Sequence, residues 1–146
     1  ETGRLLARAV LQLPAGVERE DLLADLMACV DIPAGTTPPG RVPAWLARVR
    51  ERMRDAPSDA DVADMAREAG VHRVHLSRRF QQAFAVPPSV YRARCRVAHA
   101  VARLASGDAD LADVSVDAGF SDQAHMTRAL RRHAGLTPGR LRACLA

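Results

Sequence analysis

Apolar residues in this chain recur at helical spacing in short bursts that proline and glycine interrupt. After Pro43, the residues Trp45, Leu46, Val49 and Met53 fall on one face of a helix that Pro57 ends, with Trp45 expected in the core. Val62, Met65 and Ala66 mark a shorter helix that stops at Gly70, and Ser58 with Asp61 forms an S-x-x-D arrangement that points to Ser58 as its N-cap. Leu76, Phe80 and Phe84 stand at i, i+4 and i+8 of a helix over roughly His72–Phe84. Two helices joined at a glycine turn of three or four residues give the outline of a helix-turn-helix. Pro88 then opens a long helix with Val90, Val97, Val101 and Leu104 on one stripe, closed by Gly107. At 1.5 Å per residue its length comes to roughly 27 Å.

The chain then repeats itself. DADVADMAREAG at residues 59–70 returns as DADLADVSVDAG at 108–119, with seven of twelve positions identical. With one extra residue allowed in the second turn, Leu76 aligns with Met126, Ser77 with Thr127, Arg78 with Arg128, Phe80 with Leu130, Pro88 with Pro138 and Arg92 with Arg142. A turn absorbs such an insertion and leaves both helices intact. The duplicated unit is therefore a whole helix-turn-helix together with the start of the following helix, and the long helix lies between the copies. Two units on such a rod could address successive major grooves of B-DNA, which repeat about every 34 Å.

Ahead of this region, Leu5, Leu6, Val10 and Leu13 form one amphipathic pattern and Leu22, Leu23, Leu26, Met27 and Val30 another, separated by Pro14 and Gly16. They predict a helical pair with a packing or tethering role. The run Pro33-Ala-Gly-Thr-Thr-Pro-Pro-Gly-Arg-Val-Pro43 cannot continue a helix and reads as a linker.

Composition narrows the class. With 3% aromatic residues and no alternating apolar stretch, the fold class is all-α: two helix-turn-helix subdomains joined by a long connecting helix and preceded by a short helical segment. The 146 residues suffice for one ordinary domain, or for a compact domain beside a smaller one. No apolar run approaches eighteen residues, so no membrane partner is expected. Glu1 in place of Met predicts a piece of a longer chain. Cys29, Cys95 and Cys144 are odd in number and far apart, which predicts no disulfide framework and a reducing, cytoplasmic location. The expected division is 1–42 as a helical linker or the tail of a missing N-terminal domain, and 43–146 as a DNA-binding domain. Its units run over about 43–86 and 108–146, and the connecting helix over about 88–106.

Charge separates the helices of each unit. All 21 basic residues are arginine; residues 1–57 are neutral overall, and the net charge of +4 resides in 58–146. The first helix of the first copy carries Asp59, Asp61, Asp64 and Glu68 against Arg67, whereas the second helix carries Arg73, Arg78 and Arg79 and no acid. Copy two repeats the contrast, with Asp108, Asp110, Asp113 and Asp117 ahead of Arg128, Arg131 and Arg132. Arginine suits bidentate contacts with phosphates and guanine edges. A basic helix carrying Ser, Thr, Gln and Arg holds the groups for both backbone and base-edge contacts.

From Pro43 to Ala146 the sequence resembles the DNA-binding domain of AraC/XylS-type bacterial transcription regulators. The likeness is carried by Asp117-Ala-Gly-Phe-Ser-Asp-Gln-Ala-His-Met-Thr-Arg-Ala-Leu-Arg-Arg-His-Ala-Gly-Leu-Thr-Pro-Gly-Arg-Leu-Arg142, by Leu76-Ser-Arg-Arg-Phe80 and by Pro88-Ser-Val-Tyr-Arg92. The resemblance implies that both second helices enter the major groove of double-stranded DNA. By position it assigns base reading to Arg73, Val74, Ser77 and Arg78 in the first unit and to Gln123, Ala124, Thr127 and Arg128 in the second. Arg79, Arg131 and Arg132 would touch phosphates. Val74 and Ala124 offer only apolar contact, for instance to a thymine methyl. The implied partners extend to RNA polymerase, and to a second copy through a missing N-terminal domain. Two departures stand out: the family usually has Phe where Leu130 and Ala134 stand, and Gly where Ala85 ends the first recognition helix.

Other chemistry is weakly signalled. His72 with His75, and Cys95 with His99, have spacings that could place two metal ligands on one face, but no further ligand accompanies them, so neither metal nor cofactor is expected. Ser77 and His75, two apart on a helix, do not face each other as nucleophile and base, so the chain is not expected to be an enzyme. The alternative function is a helical protein-interaction module whose basic helices bind an acidic partner.

Overall fold

A computed structural model describes residues 42–107 and 109–145. The two amphipathic patterns before Pro33, and the linker as far as Arg41, lie outside the described residues. Within them the architecture is all-helical: α1 (Ala44–Asp55), α2 (Val62–Glu68), α3 (Arg73–Phe84), α4 (Pro88–Ala105), α5 (Leu111–Asp117), α6 (Gln123–His133) and α7 (Pro138–Leu145). No helix among the described residues is long and apolar enough to cross a membrane.

Local chemistry sets the ends of these helices. Asp61 caps α2, its carboxylate accepting from the N–H groups of Ala63 at 2.7 Å and Asp64 at 3.3 Å, and Asp110 caps α5 by accepting from Ala112 N–H at 3.1 Å. The S-x-x-D reading that gave the cap to Ser58 is thus corrected. Residues 57–59 form a turn instead, and the helix starts only at Val62, directly after the aspartate that meets its free N–H groups. Both α2 and α5 end in one motif, in which Val71 N–H reaches Ala66 O at 3.0 Å and Phe120 N–H reaches Ser115 O at 2.8 Å. Each closes around a glycine in the left-handed region, Gly70 at φ 67° and Gly119 at φ 77°.

α4 is shared by two cores. Its N-terminal part gives Tyr91 to a cluster with Leu46, Val49, Met53, Met65, Leu76, Phe80 and Phe84. Its C-terminal part gives Val97, Val101 and Leu104 to a cluster with Val114, Met126, Leu130, Ala134 and Leu141. α4 packs on α1 and α3 at one end and on α5, α6 and α7 at the other. Trp45 differs from the expectation of a core residue. It is only partly buried and stacks its indole on the His75 ring, with centroids 6.2 Å apart.

The duplication extends to contacts that tie each unit to its supporting helix. Glu68, in the last turn of α2, pairs with Arg52 of α1, and Asp117, at the aligned position of α5, pairs with Arg103 of α4 at 3.0 Å. Arg92 donates from Nε to Pro57 O at 3.4 Å, and its counterpart Arg142 donates from Nη2 to Ala109 O. In both units an arginine from the helix after the helix-turn-helix closes on a carbonyl just before its first helix.

Candidate nucleic-acid interface

α3 and α6 start with caps that leave their first turns open. His72 Nδ1 accepts from Val74 N–H at 3.3 Å, and Asp122 accepts from His125 N–H at 2.6 Å. The extra residue of the second turn, Ser121, has its hydroxyl against Asp122 at 3.2 Å and against His125 Nδ1 at 3.1 Å. It therefore buttresses the cap and leaves the helix register unchanged. The backbone N–H of His125, with the Ser121 hydroxyl adding to it, holds the Asp122 carboxyl below the usual carboxylate range.

Each helix buries one stripe and leaves the rest to solvent. α3 buries Leu76, Phe80 and Phe84, while Arg73, Val74, Arg78 and Arg79 are exposed and Ser77 is half-buried. α6 buries Met126 and Leu130, with Gln123, Ala124, Arg128, Arg131 and Arg132 exposed and Thr127 half-buried. Val74 is 51% exposed, which sets an apolar side chain beside the arginines of this face. On the first unit His72, Arg73, Val74, Ser77, Arg78 and Gln81 line one shallow groove.

The charges on these faces are left available. Among the described residues, the ion pairs of α2 and α5 engage Arg52, Arg67 and Arg103, none of which lies on α3 or α6. Arg79 donates to Gln82 Oε1 at 3.4 Å. The guanidinium groups of Arg73, Arg78, Arg128, Arg131 and Arg132 make no hydrogen bond or ion pair with another described residue. Guanidiniums with five donors each and no internal acceptor are suited to an external anion.

Several residues at this surface escape a reading of motifs. Arg92 and Arg96 of α4, together with His125 and His133 of α6, line a cleft between the units alongside Arg73, Arg128 and Arg132. Burial, aided by the charges of Arg132 and Arg94, pushes the His133 imidazole below its ordinary value. Arg92 and Arg96 are four apart on one helix, a visible sign of a shared face, but their approach to the recognition helices is tertiary. No group of three or more His, Cys, Asp or Glu able to hold a metal ion occurs among the described residues.

The model of a helix-turn-helix domain family matches residues 65–143, more than half of the chain. This chain belongs to the AraC-type helix-turn-helix family of DNA-binding transcription regulators. It is 31% identical over 81 residues to the HTH-type transcriptional regulator ExsA of Pseudomonas aeruginosa, a match covering 56% of this chain and 29% of that protein. Against a putative AraC-like transcription regulator of Streptomyces lividans it is 30% identical over 110 residues, covering 69% of this chain and 36% of that one. The chain thus spans about a third of the length of the curated relatives it matches. Among solved structures it resembles the DNA-binding domain of AdpA, a global transcriptional factor solved in complex with a target DNA. The TM-score is 0.61 at 26% identity, over 67% of this chain and 89% of that one.

The two departures from the AraC-type pattern have structural consequences. Leu130 and Ala134 are both fully buried, so the second core closes around smaller side chains. Ala85, by contrast, adopts the left-handed conformation that the usual glycine would take freely, at φ 58°, while Gly135 takes φ 73° at the aligned position.

Proposed function

We propose that this chain supplies the DNA-binding part of a transcription regulator and reads a duplex with α3 and α6 in successive major grooves. The observation that carries the reading is the pair of exposed arginine faces packed on one shared helix, α4, on which the guanidiniums of Arg73, Arg78, Arg128, Arg131 and Arg132 have no partner among the described residues. The AdpA domain, solved on a target DNA, supports it. In this reading Arg73, Val74, Ser77 and Arg78, with Gln123, Ala124, Thr127 and Arg128, meet base edges, and Arg79, Arg131 and Arg132 meet phosphates. Residues 43–146 form the DNA-binding domain, and 1–42 join it to a further domain through which the protein dimerises. The protein works in the cytoplasm with double-stranded DNA and RNA polymerase as partners. It carries out no catalysis.

Selection from a pool of random duplexes tests this function. Enrichment of a sequence with two clusters about one helical turn apart is expected. No enrichment above background would leave the protein-interaction module, with an acidic partner, as the better account. Non-specific DNA binding alone does not discriminate, because any basic face provides it.

A further inference from the structure

Between the two units lies a cleft of about 610 Å³ whose floor is α4 and whose walls are α6 on one side and, on the other, the start of α2 with Arg73 of α3. Its charged lining is Arg73, Arg92, Arg96, Arg128 and Arg132 against one carboxylate, Asp61. That carboxylate accepts from two backbone N–H groups at the start of α2. Arg92 and Arg96 sit one turn apart, and both donate from Nε to the same acceptor, Pro57 O, at 3.4 and 3.2 Å. This arrangement fixes the two guanidiniums side by side, and their Nη atoms make no hydrogen bond or ion pair with another described residue. Burial, and after it the neighbouring Arg92 charge, disfavour the cationic form of Arg96, while Asp61, the one carboxylate of the lining, interacts with Arg92. His125 and His133 complete the lining on the α6 side.

We propose that this cleft is a phosphate-binding site for the DNA strand that passes between the two recognition helices, with Arg92 and Arg96 of the connecting helix contacting its phosphates. The inference rests on the DNA-binding reading and deepens it. A duplex seated on Arg73 of α3 and Arg128 of α6 would cover the cleft mouth. The backbone presented there is a continuous run of charge, about one per 3.4 Å of axis along a single strand, which matches cations spread over a floor and two walls. Contacts of this kind carry no base information; they set the register of both units together.

The test uses the 146-residue chain and a duplex recovered by site selection, with the phosphates between the two clusters replaced by uncharged methylphosphonates. The wild-type chain is expected to lose affinity on the modified duplex, while Arg92→Gln/Arg96→Gln loses little. On unmodified DNA the double variant should show a log Kd against log salt slope shallower by about 2, one unit per lost contact. Because these arginines also hold Pro57, thermal melting checks the fold of the double variant, and Arg132→Gln on the cleft rim provides a second variant, with a slope change of about 1. A wild-type chain indifferent to the methylphosphonates would overturn the proposal, as would equal losses for wild type and double variant. Binding of inorganic pyrophosphate at constant ionic strength, lost in the double variant and accompanied by indifference to methylphosphonates, would assign the cleft to a free anion and also overturn it. If the wild-type chain selects no sequence at all, it is the DNA-binding reading that fails.

Discussion

The two helix-turn-helix units share a plan but solve it with different side chains. The first builds its core on aromatic rings, with Phe80 edge-on to Phe84 at 4.6 Å and to Tyr91 at 5.4 Å. The second has Leu130, Ala134 and Leu141 at the aligned positions, all fully buried. The first recognition helix is capped by an imidazole nitrogen and the second by a carboxylate. Backbone strain differs as well, since Ala85 occupies a conformation that Gly135 takes without cost. A duplicated unit therefore keeps the backbone bonds, the left-handed turns and the ion pair to the supporting helix, while its core volume and caps drift.

The sharpest way to break this comparison lies at the aligned turn glycines. A Cβ at Gly119 would meet Ser58 Cα at 2.6 Å, whereas a Cβ at Gly70 meets nothing within 4 Å. Gly119→Ala should cost about 2–4 kcal/mol, combining backbone strain with a clash against backbone. Gly70→Ala should cost only about 1–2 kcal/mol, from the positive φ alone. Denaturant melts of both variants check the difference, and equal costs would show that the seam between the units yields easily.

Next in size are the aligned arginines of the two recognition helices. Arg78→Ala and Arg128→Ala should each weaken binding by about 1–3 kcal/mol and relax base preference in one cluster of the selected site only. Competition against duplexes mutated in one cluster at a time would show it, and loss of preference in both clusters from one substitution would contradict independent reading. At Ala85 the expected change is smaller and of opposite sign to its counterpart. Ala85→Gly should stabilise by about 0.5–1 kcal/mol, and Gly135→Ala should destabilise by about 1 kcal/mol, read from thermal or denaturant midpoints.

The mildest effect concerns acid. Asp61 and Asp122 have their carboxyls held below the ordinary 3.8, Asp61 first by the Ala63 N–H and then by that of Asp64, and Asp122 first by the His125 N–H. Stability from such groups is fully present above the unfolded value and is lost as pH falls through the lowered folded one. Melting temperature against pH should therefore fall less steeply below pH 4 in Asp61→Asn and Asp122→Asn than in the wild type.

Much of this fold was legible because helix punctuation is local. Pro43, Pro88, Gly70 and Gly119 mark ends that a periodic pattern alone leaves vague, and the repeated dodecamer exposed the second unit. Ser58 misled because the S-x-x-D spacing fits a cap equally well at either residue, and only the turn at 57–59 decides for Asp61. The basic faces of α3 and α6 could be read as charge patterns, but the cleft between them could not. Pro57 lies 35 and 39 residues from Arg92 and Arg96, and no local rule links a carbonyl to guanidiniums that distant. The role of the acids was obscured in the same way. Glu68 and Asp117 of the acidic first helices pair with arginines of α1 and α4, and those contacts too are tertiary.

The close approach of Gly119 to Ser58 has a consequence for how operators for this protein can diverge. With the turn of one unit against the entry loop of the other and both packed on α4, the proposed DNA-binding mode predicts a caliper of fixed opening. Inserting one base pair between the two clusters rotates one of them by about 35° about the duplex axis. A caliper cannot follow that rotation, so point changes within a cluster would be tolerated in degrees, and a change of spacing would be read as a different address.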